Sequence, residues 1–132
     1  MIKLKSLLQE LSAEESVSIG DGYILRNVGH GIFKVYFGEE LALSVHVVIR
    51  NNFTGQRNEI PWVSDAEVFP GHKGKGLYRR VLPILKDTFG FIRSDNRGNI
   101  SDDAEKAWVS VGARKTTFND KENTYGNSWY VL

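Results

Sequence analysis

The chain has 132 residues, about one domain's worth, and its 41% hydrophobic and 25% charged content excludes an intrinsically disordered polymer. A formal charge of +1, from 17 basic and 16 acidic residues, argues against a dedicated nucleic-acid binder. The absence of cysteine excludes a disulfide framework, a thiol nucleophile and any cysteine-ligated metal site, and no apolar run reaches the roughly 20 residues of a membrane span.

The opening MIKLKSLLQE lacks the long apolar stretch and small residues of a signal peptide, so a cytoplasmic protein is expected. Leu4, Leu7, Leu8 and Leu11 recur at helical spacing and predict an amphipathic helix over Met1–Glu15. Three strand-like runs follow: Tyr23–Val28, Ile32–Phe37 and Leu41–Arg50. They are separated by the turns Gly29-His30-Gly31 and Gly38-Glu39-Glu40. In the third run Leu41, Leu43, Val45, Val47 and Ile49 alternate against a more polar set that includes His46. This is the pattern of an antiparallel meander with one buried face. Asn51–Asn58 is a polar loop, and Ile60–Phe69 is a further strand closed by Pro70-Gly71.

The pattern then changes. A glycine-rich stretch, GHKGKG, leads into a helix over Leu77–Thr88, with Pro83 inside it. Proline there removes the bond to the Arg79 carbonyl, so a kink or a shortened helix is expected. Phe89–Arg93 reads as a short strand and Ser94–Ile100 as a loop. Ser101, followed by Asp102 and Asp103, has the form of an N-cap with an acidic first turn. The buried face of that second helix is Ala104, Ala107, Trp108 and Val111, and Gly112 stops it. Strands over Arg114–Asn119 and Ser128–Leu132 flank the turn Asp120–Asn127. The whole reads as a single domain, 1–132, of the α/β (α+β) class: a mixed, mostly antiparallel six- or seven-stranded sheet with helices on its faces.

The chemistry concentrates in Val68–Tyr78. A strand, a glycine-rich turn and a helix start point several main-chain N–H groups at one spot, with partial positive charge from the helix. Lys73, Lys75, Arg79 and Arg80 add cations. This is phosphate-binding chemistry, but the two common nucleotide motifs fail. Gly71 and Gly76 have P-loop spacing, yet Leu77 and Tyr78 stand where Lys and Ser/Thr are needed. Gly74 and Gly76 begin a dinucleotide fingerprint that Arg79 breaks. His30, His46 and His72 lack metal-ligand spacing, so no metal is expected.

Val68, Pro70, Gly74 and Gly76 resemble the cofactor loop of the GNAT superfamily of acyl-CoA-dependent N-acyltransferases, V-x-P-x-x-R/Q-G-x-G-x-G/A. Lys73 stands in the Arg/Gln place and Tyr78 in the final Gly/Ala place. Ala104, Trp108 and Gly112 repeat a second spacing of that family, and Ser101 falls where a Ser or Asn often bonds the pantetheine arm. The front half departs, because only Gly29–Gly31 separates the first two strand runs where the family has helices.

The resemblance implies an N-acetyltransferase that uses acetyl-CoA as co-substrate and an amine acceptor, either a small molecule or a protein lysine or N-terminus. It further implies a monomer or homodimer with no nucleic-acid or membrane partner. Main-chain groups near Val68 and Phe69 would bond the pantetheine like an added strand. The N–H groups of Gly74, Lys75, Gly76, Leu77 and Tyr78, with Lys73 nearby, would cradle the diphosphate. Trp108 would line the cofactor slot. The amine would attack the thioester directly, so lack of cysteine is no obstacle. The base candidates are Asp65 and Glu67, with His46 across the sheet. The family's acid is often a tyrosine at the place of Trp108, so another tyrosine such as Tyr125 serves, the thiolate leaves unassisted, or the chain is a catalytically weak or inactive interaction module.

Overall fold

The structure is a computed structural model that describes residues 16–51, 59–95, 100–117 and 128–132. The expected Met1–Glu15 helix, Tyr125 and most of the residues in the three expected loops lie outside the described residues. Seven strands and two helices are described: β1 Ser16–Gly20, β2 Tyr23–Gly29, β3 Ile32–Phe37, β4 Glu40–Asn51, β5 Glu59–Val68, α1 Leu77–Phe89, α2 Asp102–Ser110, β6 Arg114–Thr117 and β7 Ser128–Val131.

β1 to β5 form an antiparallel sheet in sequence order, and β6 pairs with β7 in a second, two-stranded sheet. The expected continuous sheet is thus divided. The two parts meet through Arg93, which bridges parallel to Trp62 of β5 and antiparallel to Val131 of β7. That bridge is what remains of the expected Phe89–Arg93 strand. Phe89 belongs instead to α1, where its ring packs edge-on against Phe33 at 6.1 Å, and Gly90 closes the helix by donating to the Lys86 carbonyl.

β1 was not expected from the sequence. It is an edge strand with four of its five residues exposed, so it has no buried alternation to reveal it. Its link to β2 is the two-residue turn Asp21-Gly22, both residues with positive φ, as a tight hairpin of this twist requires.

α1 lays Leu77, Tyr78, Val81, Leu82, Leu85 and Phe89 on the core face of the large sheet, built by Leu25, Phe33, Val35, Leu43, Val45, Val47 and Val63. The helix runs through Pro83 unbroken and is one residue longer than expected. Pro83 and Arg79 are both exposed, so the carbonyl that loses its partner is on the solvent side, where water replaces the lost bond. The Ser101 hydroxyl accepts from the Ala104 N–H at 3.1 Å, so the expected cap of α2 is present, and Asp102, Asp103 and Glu105 fill the first turn. Trp108 is the fully buried residue of α2 and fastens it to α1.

Candidate functional site

β5 and the loop after it shape the site. In the β4–β5 pairing, His46 faces Asp65 and Val47 faces Val63, so Ser64 is an extra residue on β5. Such a bulge bends a strand and ends regular pairing nearby. On the other edge of β5, Arg93 donates to the Pro61 carbonyl and accepts from the Val63 N–H. Among the described residues that ladder stops at Val63.

Beyond the bulge, Phe69 donates to the Ala42 carbonyl at 2.9 Å. Antiparallel ladders alternate, so the register turns the main-chain groups of Ala66 and Val68 away from β4, toward this open edge. Ala66 shares a face with Val45 and Val68, yet it is exposed. The core face is therefore uncovered at that point. Phe69 contributes less than its sequence position suggested: its N–H is taken by Ala42 and its carbonyl accepts from His72. Among the described residues, the stretch of this edge with no strand partner is at Ala66 and Val68.

The loop continues the edge. Gly71, Gly74 and Gly76 all have positive φ, and a Cβ built on Gly74 meets nothing within 4 Å, so open space adjoins the turn. Gly76 is the N-cap of α1 in the left-handed region, φ 68° and ψ 27°; it has no side-chain cap, and the first turn holds no acidic residue. The N–H groups opening α1 are left to an external acceptor, with the positive end of the helix behind them. Lys73, Lys75 and Arg79 are exposed around this bend. Arg80 is turned away: it bonds Asp21 at 2.7 Å and the Ile19 carbonyl at 3.3 Å, tying α1 to the β1–β2 turn.

The fastening of the loop depends on partners distant in the chain. His72, which looks like part of a solvated basic run, is 6% exposed. Its Nδ1 lies 2.9 Å from the Tyr23 hydroxyl and its Nε2 2.5 Å from Glu40 Oε1. With Nε2–H donating to the carboxylate, Nδ1 accepts from the phenol, and the loop is pinned to β2 and to the start of β4. These partners lie 49 and 32 residues away in the chain, beyond any spacing rule.

Two of the residues that depart from the resembled pattern, Tyr78 and Trp108, meet each other. The indole N–H of Trp108 donates to the Tyr78 hydroxyl at 3.1 Å, with the rings edge to face at 6.3 Å. Tyr78 thus directs its bulk between the helices. Burial pushes its phenol well above the usual tyrosine range, opposed in part by the Trp108 hydrogen bond. Trp108 itself has no exposed surface. Ser101 is exposed, with its hydroxyl engaged in the cap of α2.

Asp65 and Glu67 are exposed on β5, opposite His46 and Ser44 respectively, on the face of the sheet away from α1. His46 is exposed, as its strand position suggested. The three therefore share one surface beside the bulge. Among the described residues no group of three His, Asp or Glu side chains could hold a metal ion, and no helix is long and apolar enough to cross a membrane.

No model of a known protein family matches the sequence, and no curated protein matches it. Solved structures do match by fold. The N-acetyltransferase YlbP of Bacillus subtilis, in complex with coenzyme A, superposes with a TM-score of 0.61 at 17% identity, covering 81% of this chain and 70% of that one. A GNAT-family acetyltransferase from Listeria monocytogenes gives 0.52 at 14% identity, covering 77% of this chain and 63% of the other. The chain has the fold of the GNAT superfamily.

Proposed function

We propose that this GNAT-fold chain binds acetyl-CoA and transfers its acetyl group to a primary amine. The observation that carries the reading is the continuity of a strand edge at Ala66 and Val68, without a strand partner among the described residues, with an uncapped, acid-free helix start at Gly76. An extended arm bearing amides can add to the edge like a strand. A diphosphate at its end then reaches the N–H groups of Gly74–Tyr78, where Lys73, Lys75 and Arg79 supply countercharge. The donor set fits that group: exposed cations surround the bend, a Cβ added at Gly74 would enter open space, and one added at Gly76 would press on the Arg79 guanidinium.

The reaction is attack of an amine nitrogen on the thioester carbonyl. A C–N bond forms, the C–S bond breaks, and the amine proton passes to a base. Asp65 or Glu67, on the face opposite α1, takes that proton, with His46 alongside. The thiolate leaves and is protonated from solvent. Rate enhancement rests on positioning and on main-chain dipoles near the carbonyl rather than on a covalent intermediate. Titration calorimetry with acetyl-CoA tests the binding half: saturable heat is expected, and neither heat nor thermal shift at millimolar ligand would overturn it. Thiol release from acetyl-CoA in the presence of a panel of amines tests the transfer half. The second reading, a catalytically silent module of the same fold, is favoured by the complete burial of Trp108 and predicts that no amine in the panel releases thiol.

A further inference from the structure

The face of the sheet away from α1 carries a row of charge of which the proposed reaction uses only one end. Arg26 of β2 stands opposite Lys34 of β3, Lys34 opposite Ser44 of β4, and Ser44 opposite Glu67 of β5. Their chain neighbours Leu25, Val35, Leu43, Val45 and Val68 belong to the core or pack against it. Alternation therefore sends all four side chains of the row to the far face, where Arg26 and Glu67 are exposed and Lys34 and Ser44 half-buried.

Two features of the row point to a ligand. Arg26 and Lys34 are like charges directly opposite each other, which costs stability in a sheet. Neither makes an ion pair among the described residues. The Arg26 guanidinium lies over the Tyr36 ring, 5.4 Å from its centroid, which holds it in place and leaves its charge uncompensated. At the other end Asp65 and Glu67 are exposed and likewise make no ion pair among the described residues. Ser44 keeps the two ends apart. Neighbouring strands lie about 4.8 Å from each other, so the main chain at Glu67 is about 10 Å from that at Lys34 and about 14 Å from that at Arg26. The row is a fixed pair of opposite charges with a neutral gap between them.

We infer that Lys34 and Arg26 select the acceptor, an extended peptide whose free N-terminal amine reacts beside Glu67 and whose fourth or fifth residue is acidic. An extended chain advances about 3.4 Å per residue, so those residues lie about 10 and 14 Å from the amine, over the two cations. The carboxylates of β5 attract the ammonium form of the amine before its proton is lost. The distal carboxylate relieves the repulsion between Arg26 and Lys34, and a basic residue at the same place meets like charge. The inference rests on the proposed transfer with a carboxylate base on β5 and specifies its acceptor.

The test uses short C-terminally amidated peptides with a free N-terminus, built of Ala and Ser except at one position: Glu, Gln or Lys at the fourth, or Glu at the second. Two readouts are taken, KM for thiol release from acetyl-CoA and Kd by calorimetry with CoA present. Glu at the fourth position should lower both by about five- to tenfold relative to Gln there, the reach of one or two partly exposed charge contacts. Glu at the second position should bring no such gain, and Lys at the fourth should bind more weakly than Gln. Lys34→Met should level the three fourth-position peptides, and Lys34→Glu should reverse their order. Both variants remove the repulsion with Arg26, so they should melt no lower than the wild type; a lower melt in both overturns the premise that the two cations repel. A wild type indifferent to the fourth residue, or an order that survives in Lys34→Glu, overturns the assignment. Thiol release with small amines but with no peptide overturns it while the transfer reading stands. Peptide binding in the expected order without thiol release upholds the charge selection and overturns the transfer alone. Neither peptide binding nor thiol release with any amine overturns both.

Discussion

Replacing Tyr78 with Phe removes one oxygen atom from the contact that joins the two helices. The indole N–H of Trp108 then loses its acceptor, in a residue with no exposed surface. Leaving a buried donor unsatisfied costs about 1–3 kcal/mol. Unfolding entropy near 2.1 cal/mol/K per residue, over 132 residues, makes this roughly 4–11 °C in melting temperature. The double variant Tyr78→Phe/Trp108→Phe should be less destabilised than the sum of the single changes by about 1 kcal/mol, since neither polar atom is then stranded. Burial of the same phenol has a pH signature. The folded-state pKa of Tyr78 is raised above the unfolded value of 10.0, so the stability it contributes is present below pH 10 and is lost as pH rises above it. The wild type should lose up to about 1.4 kcal/mol per pH unit there from this group, and Tyr78→Phe should lack that increment. Urea melts from pH 7 to 11 measure both effects. A Phe variant as stable as the wild type at pH 7, with the same alkaline slope, refutes the reasoning.

Other outcomes follow from the site. Gly76→Val forces a β-branched residue into the left-handed region and sets its Cβ 2.9 Å from the Arg79 guanidinium. It should destabilise the fold by about 1–3 kcal/mol and reduce acetyl-CoA affinity by more than the melt alone explains, so unchanged affinity in the folded fraction counts against the cradle. Glu40→Ala combined with Tyr23→Phe removes both His72 partners. Amide hydrogen exchange across Gly71–Gly76 should accelerate while that of β3 and β4 stays near wild type; unaltered loop exchange would show that His72 does not hold the loop. Glu67→Gln or Asp65→Asn, whichever carries the base, should cut turnover by about 10²–10⁴ with acetyl-CoA affinity unchanged, and full turnover in the double variant would exclude a carboxylate base on β5.

How much of this was readable in the amino acids depends on the range of the forces involved. Local signals were clear. Alternation in Leu41–Arg50 and the Ser101 cap report contacts within a few residues, and both elements formed as their patterns required. The turn into α1 was readable for the same reason, since glycines beside lysines before an apolar period have few other uses. Pro83 misled because its cost depends on which side of the helix it occupies, a tertiary fact. β1 was hidden because an exposed edge strand needs no apolar alternation. The bulge at Ser64 left no local mark, since it is defined by pairing with His46 and Val47 of another strand. His72 and the Tyr78–Trp108 pair were beyond reach for the same reason. Their partners are brought close only by the folded sheet, and a histidine among lysines and glycines carries the composition of a surface turn.

The central claim is that the main chain at the bend from β5 into α1 receives the diphosphate of coenzyme A. Backbone amide chemical shifts, recorded as CoA is titrated into the 132-residue chain, address that bend residue by residue. Saturable shifts that are largest at Gly74, Lys75, Gly76 and Leu77, with Val68 following along the strand edge, are the predicted result. Amides at this bend that stay still at millimolar CoA, or saturable shifts confined to another part of the molecule, would contradict it.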